Sequence, residues 1–501
     1  MAAISSAIIA LRRLTRGDSG KNTLLSAFEA IVLAVLQFAA FCMLVRIAEP
    51  NAVSLWVFIN SILSIARAAD FSAQGLVSFV AEARAKGEED AAHSTITTSI
   101  MLGFLGYVVM AICGTVALHY SLPLLIAPID AEIARGLLPL FGAVFAVSSL
   151  AGVYRLAFLG LERVGPKVVQ TIGGLIVFIV AAFVLAPDYG LQGILLAQLL
   201  QALASLLYAV VWYHRGRVQW NFSHYWDGAI ARKICSYGLK SMAVGGVQLT
   251  IEPVIRLLAN HFGGLNAVLL VELASRSIMA VRSLLLSAGQ VLIPKFSTSV
   301  ESEKQNLGRQ ILKTEQFYFV LGAPALMLTV IAAPAIAQVA AQVDATQLTV
   351  ITAILSTTWF FNIVAAPNYF FLVGQRRVGD LFWVHVLMTG GTLVTGFAAG
   401  YLFGIFGAMA GTTLGFLSSC VFEIRASRDA TSAEIGANRW HLLIQPLMLT
   451  LTMLVLSGAA LAKQLSYNAL STVWLLWGAA AVVPPVFIGG WLLMKILKEK
   501  D

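Results

Sequence analysis

Charge is what this chain has least of. Only 12% of its 501 residues are Asp, Glu, Lys or Arg, where a soluble globular chain carries about 25%. Hydrophobic residues make up 59%, and mean hydropathy is +0.84. No polar stretch is long enough to fold as a soluble domain. The four cysteines, Cys42, Cys113, Cys235 and Cys420, show no metal-ligand spacing and read as buried apolar residues. No G-x-x-x-x-G-K-[ST] motif is present, so the sequence carries no sign of ATP hydrolysis. A basic, aromatic-interleaved segment of the kind nucleic acid requires is missing too. The start does not read as a cleaved signal peptide, because a basic polar stretch precedes an apolar segment of full span length. For Ala3 to Leu11 a short interfacial helix and a frayed tail fit equally well.

What remains is long apolar runs, each able to cross the hydrocarbon core. Fourteen are legible, at about 24–47, 52–72, 95–119, 136–157, 168–186, 191–213, 239–260, 265–286, 314–339, 347–373, 381–401, 404–424, 440–462 and 471–494. The expected fold is therefore all-α and polytopic. The few basic residues lie almost wholly on one side. Arg12, Arg13, Arg16 and Lys21 precede the first span, and Arg84, Lys86, Arg163, Lys167, Arg215, Arg217, Arg232 and Lys233 fill the even loops of the first half. Lys295, Lys304, Arg309, Lys313, Arg376, Arg377, Arg425, Arg428 and Arg439 do so in the second, and Lys495, Lys498 and Lys500 close the chain. The opposite side has Arg46, Arg135 and Lys463. By the positive-inside rule both termini are cytoplasmic. The net charge of +8 is this bias.

The chain also repeats itself, at an offset of 214 to 215 positions. G-L-E-R-V-G at Gly160 returns as G-Q-R-R-V-G at Gly374; G-L-Q-G-I-L-L-A at Gly190 returns as G-I-F-G-A-M-A-G at Gly404. N-A-V-S-L at Asn51 returns as N-A-V-L-L at Asn266, and continuing that pair sets Arg67 opposite Arg282. A six-helix unit has been duplicated in one orientation, the signature of a transporter of two pseudo-symmetric lobes. The expected domains are an N-lobe at 22–213, a cytoplasmic linker at 214–235, a C-lobe at 236–424, and two accessory helices at 440–495 outside the repeat.

The segment from Leu44 to Asp90 includes Arg46, Asp70, Gly75, Leu76 and the run A-E-A-R-A-K-G-E-E-D. With Y-R-L-A-F-L-G-L-E-R from Tyr154 and V-E-L-A-S-R from Val271, it resembles the polysaccharide transporters. These are the Wzx-type flippases of O-antigen and exopolysaccharide repeat units, within the MOP superfamily. The usual D-L-G-L of the second helix is here Asp70-Phe71-Ser72-Ala73-Gln74-Gly75-Leu76. The resemblance implies a non-enzymatic flippase in the bacterial inner membrane. It would carry a polyprenyl-diphosphate-linked glycan outward by alternating access, among membrane lipids and beside a polysaccharide polymerase and export machinery. A lipid II flippase, a MATE-type multidrug antiporter and an integral membrane glycosyltransferase or polymerase of the same pathway stand as alternatives. Short outer loops and the strict repeat weigh against the enzymes.

Charges inside spans are expensive and call for a partner or a function. At about 1.5 Å per residue, Arg67 and Arg282 lie roughly 22–25 Å below the outer ends of spans two and eight. Arg155 is similarly deep in span four. Arg suits a diphosphate because its planar fork pairs with two phosphate oxygens. Arg67, Arg155 and Arg282 are thus the expected inner-leaflet diphosphate cluster, with Arg256 and Arg276 further out. Glu29, Glu252, Glu272 and Asp70 are the candidates for ion coupling, for which H+ and Na+ fit equally; no other cofactor or metal is expected. Against these roles stands local pairing. Glu252–Arg256 and Glu272–Arg276 are spaced i,i+4 with the acid first, the favourable order for a helical ion pair. Arg67–Asp70 is spaced i,i+3, and Arg155 and Arg282 have no acid at helical spacing. Arg155 and Arg282 could also snorkel to ordinary lipid. His385 reads as a hydrogen-bonded bundle residue, and Glu162 and Glu423 as solvated at cytoplasmic ends. The glycine pairs, such as Gly173-Gly174 and Gly390-Gly391, read as close helix packing or hinges.

Overall fold

The computed structural model describes residues 18–66, 75–215, 226–289, 304–340, 343–375 and 377–431. Arg67, Asp70 and the expected spans thirteen and fourteen lie outside the described residues. All regular structure described is α-helical, in chain order α1 (Asp18–Ile47), α2 (Pro50–Ala66), α3 (Leu76–Ala85), α4 (Glu89–Leu125), α5 (Pro128–Gly160), α6 (Val164–His214), α7 (Gly228–Gly289), α8 (Lys304–Ala340), α9 (Ala345–Gly374) and α10 (Val378–Thr431). Eight of these are long and apolar enough to cross a membrane, and α2 is a shorter apolar helix. This is a multi-pass membrane protein.

Three helices reverse within one residue. Gly190 in α6, Gly264 in α7 and Gly404 in α10 have φ of 52°, 70° and 64°. A side chain disfavours that left-handed region, and glycine enters it freely. Contacts across each glycine show the chain folding back. Gln170 Nε2 donates to the Ser205 carbonyl across Gly190, Arg256 reaches Glu272 across Gly264, and Thr395 Oγ1 donates to the Gly411 carbonyl across Gly404. Each of these helices is therefore a hairpin of two arms. With the arms separated, every one of the first twelve expected spans has its helical segment. The arms pack closely because small residues face one another. A Cβ at Gly174 would collide with Ser205 Oγ, and one at Gly391 would stand 2.9 Å from the Gly415 Cα. Gly174 and Gly391 are thus packing positions, whereas a Cβ at Gly173 or Gly390 would meet nothing within 4 Å.

The chain divides into two compact units, Met1–Leu249 and Thr250–Asp501. In the first, α4, α5 and α6 pack in sequence, and α3 lies against α4 and α5. Leu76, Val80, Ile100, Tyr107, Tyr154, Phe158, Ala209 and Tyr213 form the core there. Trp56 is stacked with Phe41 and Phe178 and donates from Nε1 to Gln198 Oε1 (2.8 Å). In the second unit α9 packs against both α8 and α10 and is buried over most of its length. Thr358 Oγ1 lies 2.8 Å from Thr413 Oγ1 and 3.3 Å from Thr412 Oγ1, joining α9 to α10.

The repeat read from the sequence is present in local geometry. α4 and α8 both have 37 residues, Glu89 to Leu125 and Lys304 to Ala340. After α5, the Leu161 and Arg163 amides donate to the Ala157 and Phe158 carbonyls (2.9 and 2.8 Å). After α9, Gln375 and Arg377 donate to Phe371 and Leu372 (2.9 and 3.0 Å), the same bonds 214 positions on. The backbone closes both helices alike, with φ,ψ of −81°,2° at Leu161 and −79°,3° at Gln375.

Candidate functional site

In the first unit, Glu29 on α1 is 4% exposed. Its Oε2 accepts from Lys167 Nζ at 2.8 Å, so the carboxylate is neutralised by the start of α6. Arg155 on α5 is half-buried and feels Glu29 through space. Among the described residues no carboxylate stands within ion-pair distance of it. At the end where α3 and α5 finish, Arg84 Nη1 donates to the Leu161 carbonyl (2.8 Å) and lies 3.6 Å from Glu162. Lys86 Nζ donates to Glu82 Oε1 (2.7 Å), and that hydrogen bond and charge hold the Glu82 carboxyl below its ordinary value. Glu162 is exposed, as its place at a helix end suggested.

The second unit holds a four-residue charge clasp across the α7 hairpin. The sequence spacing pointed to two local pairs, and both form: Arg256–Glu252 at 3.2 Å and Arg276–Glu272 at 2.8 Å. The geometry adds a third contact. Arg256 Nε and Nη2 reach Glu272 Oε2 at 2.9 and 2.7 Å from the opposite arm. Glu272 is 3% exposed, so its charge is met by two guanidinium groups in a dry setting. A small recess opens beside the clasp, lined by Glu252, Arg256, Ser275, Met279 and Trp359. Arg282, further along the same arm, meets α9. Its Nε donates to Asn362 Oδ1 (2.9 Å), and its guanidinium lies 5.0 Å from the centre of the Trp359 ring. Among the described residues no carboxylate lies within ion-pair distance of Arg282. Asn362 and Trp359 were not singled out in the sequence, since nothing marks a neutral polar or aromatic residue in an apolar run as a cation's partner.

One reading needs correction. Glu423 is not solvated: it is 2% exposed and packed inside the second unit. It lies eight residues before the end of α10, which runs on to Thr431 and carries it away from water. Ser419 Oγ donates to its Oε1 (3.3 Å), and among the described residues its Oε2 has no hydrogen-bond partner. Nearby, Asn368 Nδ2 donates to Glu315 Oε1 (2.6 Å), and Asn368 Oδ1 accepts from Ser427 Oγ (2.6 Å). His385 Nε2 lies 3.4 Å from the Tyr369 hydroxyl, a bundle contact as its sequence position implied.

Solved structures share this bundle of helical hairpins. The inward-facing conformation of a multidrug resistance MATE family transporter of the MOP superfamily aligns with a TM-score of 0.69 at 14% identity, over 81% of this chain and 98% of that one. The outward-facing conformation of a multidrug resistance MATE family transporter of the superfamily gives 0.60 at 16% identity, over 84% and 97%. A MATE in complex with MaL6 gives 0.60 at 14% identity, over 84% and 98%. At such identities the likeness is one of fold. No curated protein matches the sequence. The family model described as "Polysaccharide biosynthesis protein" matches residues 43–342. The chain belongs to that polysaccharide biosynthesis family and is built on the transporter fold of the MOP superfamily.

Proposed function

We propose that the protein is a flippase. It moves a polyprenyl-diphosphate-linked oligosaccharide from the inner to the outer leaflet of a bacterial inner membrane, with both termini in the cytoplasm. Family membership supports the glycan. The observation that carries the charged lipid is the pair of span arginines, Arg155 and Arg282. Each lies inside a transmembrane helix, and no described carboxylate neutralises it at contact distance. A cation in that position is costly unless something anionic visits it. A diphosphate fits, because a guanidinium can hold two phosphate oxygens at once. Arg282 is also held ready: Asn362 and the Trp359 face fix its orientation. Arg67, which the repeat sets opposite Arg282, is proposed from the sequence for the same role and lies outside the described residues. The N-lobe and C-lobe at 22–213 and 236–424 would alternate their access, a reading supported by fold relatives described as inward- and outward-facing. A polymerase and export machinery would take the product.

By contrast, Arg256, Arg276, Glu252, Glu272 and Glu29 already neutralise one another or Lys167. Their proposed part is to hold the unit together around the path. Transport of a labelled polyprenyl-diphosphate oligosaccharide in proteoliposomes tests the reading. A charge-assisted hydrogen bond contributes about 1.5–3 kcal/mol, so Arg282→Ala should weaken substrate binding about tenfold or more. Arg282→Lys should recover part of it, because the charge returns without the fork. Wild-type transport by Arg282→Ala and Arg155→Ala, alone and together, would refute the arginine site.

A further inference from the structure

We propose that Glu423 is a proton-binding site inside the second unit, through which transport is coupled to protons. The coupling step rests on the transport reading above; the proton site itself does not.

Three of the four acids nominated by sequence are already ion-paired in this structure, and Asp70 lies outside the described residues. Glu29 is bound to Lys167, Glu252 to Arg256, and Glu272 to both Arg256 and Arg276. A carboxylate fixed between guanidinium groups has no reason to take up a proton in ordinary conditions. Glu423 is as buried as Glu29 and Glu272 but has no cation in contact: among the described residues one weak hydroxyl donor reaches one oxygen, and the other oxygen accepts nothing. Leaving such a group ionised carries the full cost of stripping its water. One proton, added to the unpartnered oxygen from hydronium, turns it into a neutral acid; release returns the carboxylate.

Its surroundings suit that exchange. From α7, Arg282 acts on it through space while its Nε is held by Asn362. From α8, Glu315 is 1% exposed, and it and Glu423 both act on Cys420. From α9, Tyr369 feels both Glu423 and Arg282. On α10 itself stand Ser419, Cys420 and, across the hairpin, His385 against Tyr369. Glu315 is engaged by the Asn368 amide, whereas Glu423 meets only a hydroxyl among the described residues. A proton suits the site better than an alkali ion. Asn368 turns its amide nitrogen toward Glu315 and occupies its oxygen with Ser427, whereas an alkali ion needs converging oxygens.

The repeat gives an independent argument. Shifted by 214 to 215 positions, Glu315, Asn368, Glu423 and Ser427 fall on Ile100, Tyr154, Ala209 and Tyr213. All four of those belong to the buried core of the first unit. The fold at this place is thus satisfied without acids, and the acids answer to something other than packing.

The test uses the full chain in lipid nanodiscs, without substrate, and follows the protonated-carboxyl band by infrared difference spectroscopy across pH. The band should be present in the wild type, lost in Glu423→Gln, and kept in Glu29→Gln. An unchanged band in Glu423→Gln, or one that vanishes in Glu29→Gln, overturns the site. If Glu423→Gln does not fold, Ser419→Ala removes the one donor to Oε1 and must displace the band; an unmoved band overturns the site equally. A titration that responds to sodium at constant ionic strength would also overturn it. Coupling is read in proteoliposomes with an imposed pH gradient. Wild-type transport should follow the gradient, and Glu423→Gln should lose that dependence. Wild-type transport indifferent to the gradient refutes coupling and leaves the cargo reading standing; a titrating band with no carriage of the lipid-linked glycan refutes the cargo and leaves the proton site.

Discussion

The two units solve one packing problem with opposite chemistry. In the first, Tyr154 and Tyr213 meet edge to face at 5.9 Å beside Ile100 and Ala209, and His93 Nδ1 lies 3.1 Å from the Tyr213 hydroxyl. In the second, the matching places hold two carboxyls, an amide and a hydroxyl. Apolar side chains fill space without demanding partners, so the first unit can be tuned by shape alone. Buried polar groups must each find a donor or acceptor, and a half-satisfied set costs more than an apolar one. The difference extends to the ion pairs. The first unit has Glu29–Lys167, whose lysine is 24% exposed and can lean toward water. The second has Glu272 enclosed by two arginines. The two copies share helices and turns, and at these matched places buried acids stand in the second alone.

Breaking the charge clasp should give the largest effect. Glu272→Gln leaves Arg256 and Arg276 with a neutral partner at a dry site, and removing one side of a buried pair costs about 3–5 kcal/mol. Glu29→Gln should cost about 1 kcal/mol, because Lys167 can be rehydrated. Reversible unfolding in mixed micelles measures both, and equal losses would dissolve the contrast between the units. Next come the turns. No atom stands within 4 Å of a Cβ at Gly190 or Gly404, so Gly→Ala there costs only the left-handed backbone, about 1–2 kcal/mol. The two variants should lose the same amount by the same assay. A clear inequality would mean the copies turn by different means. Smallest is Trp56→Phe, which keeps the stack with Phe41 and Phe178 and drops the bond to Gln198. A single interhelical hydrogen bond in a membrane is worth about 0.6–2 kcal/mol, so a loss above that range would give the first unit a polar dependence it is not expected to have.

The sequence made the architecture legible because length and apolarity specify a crossing helix, and because the repeat survives in glycines that the turns require. Gly160, Gly190, Gly374 and Gly404 all stand at helix ends or reversals. The i,i+4 pairs were legible for the same reason: helical spacing is local. What escaped was tertiary. Arg256 meets Glu272 only because Gly264 folds the arms together, and spacing along the chain does not encode that. Glu423 was misjudged because its distance from a helix end suggested water, whereas its burial is set by neighbouring helices. One signal could have revealed it. Carrying the repeat offset through the last helix sets Glu423 opposite Ala209 and Glu315 opposite Ile100, and an acid where the other copy has an apolar core residue is conspicuous.

The single-residue reversals at Gly190, Gly264 and Gly404 also have a mechanical meaning. With no slack in the turn, one arm cannot slide lengthwise without dragging the other. In α7 the ion pairs between Arg256 and Glu272 brace the hairpin eight residues from its bend on either side, like a rung between the rails of a ladder. Each hairpin therefore moves as one stiff lever. A pull on either arm is felt by the pair, and the rigid element at each of these places is two helices rather than one.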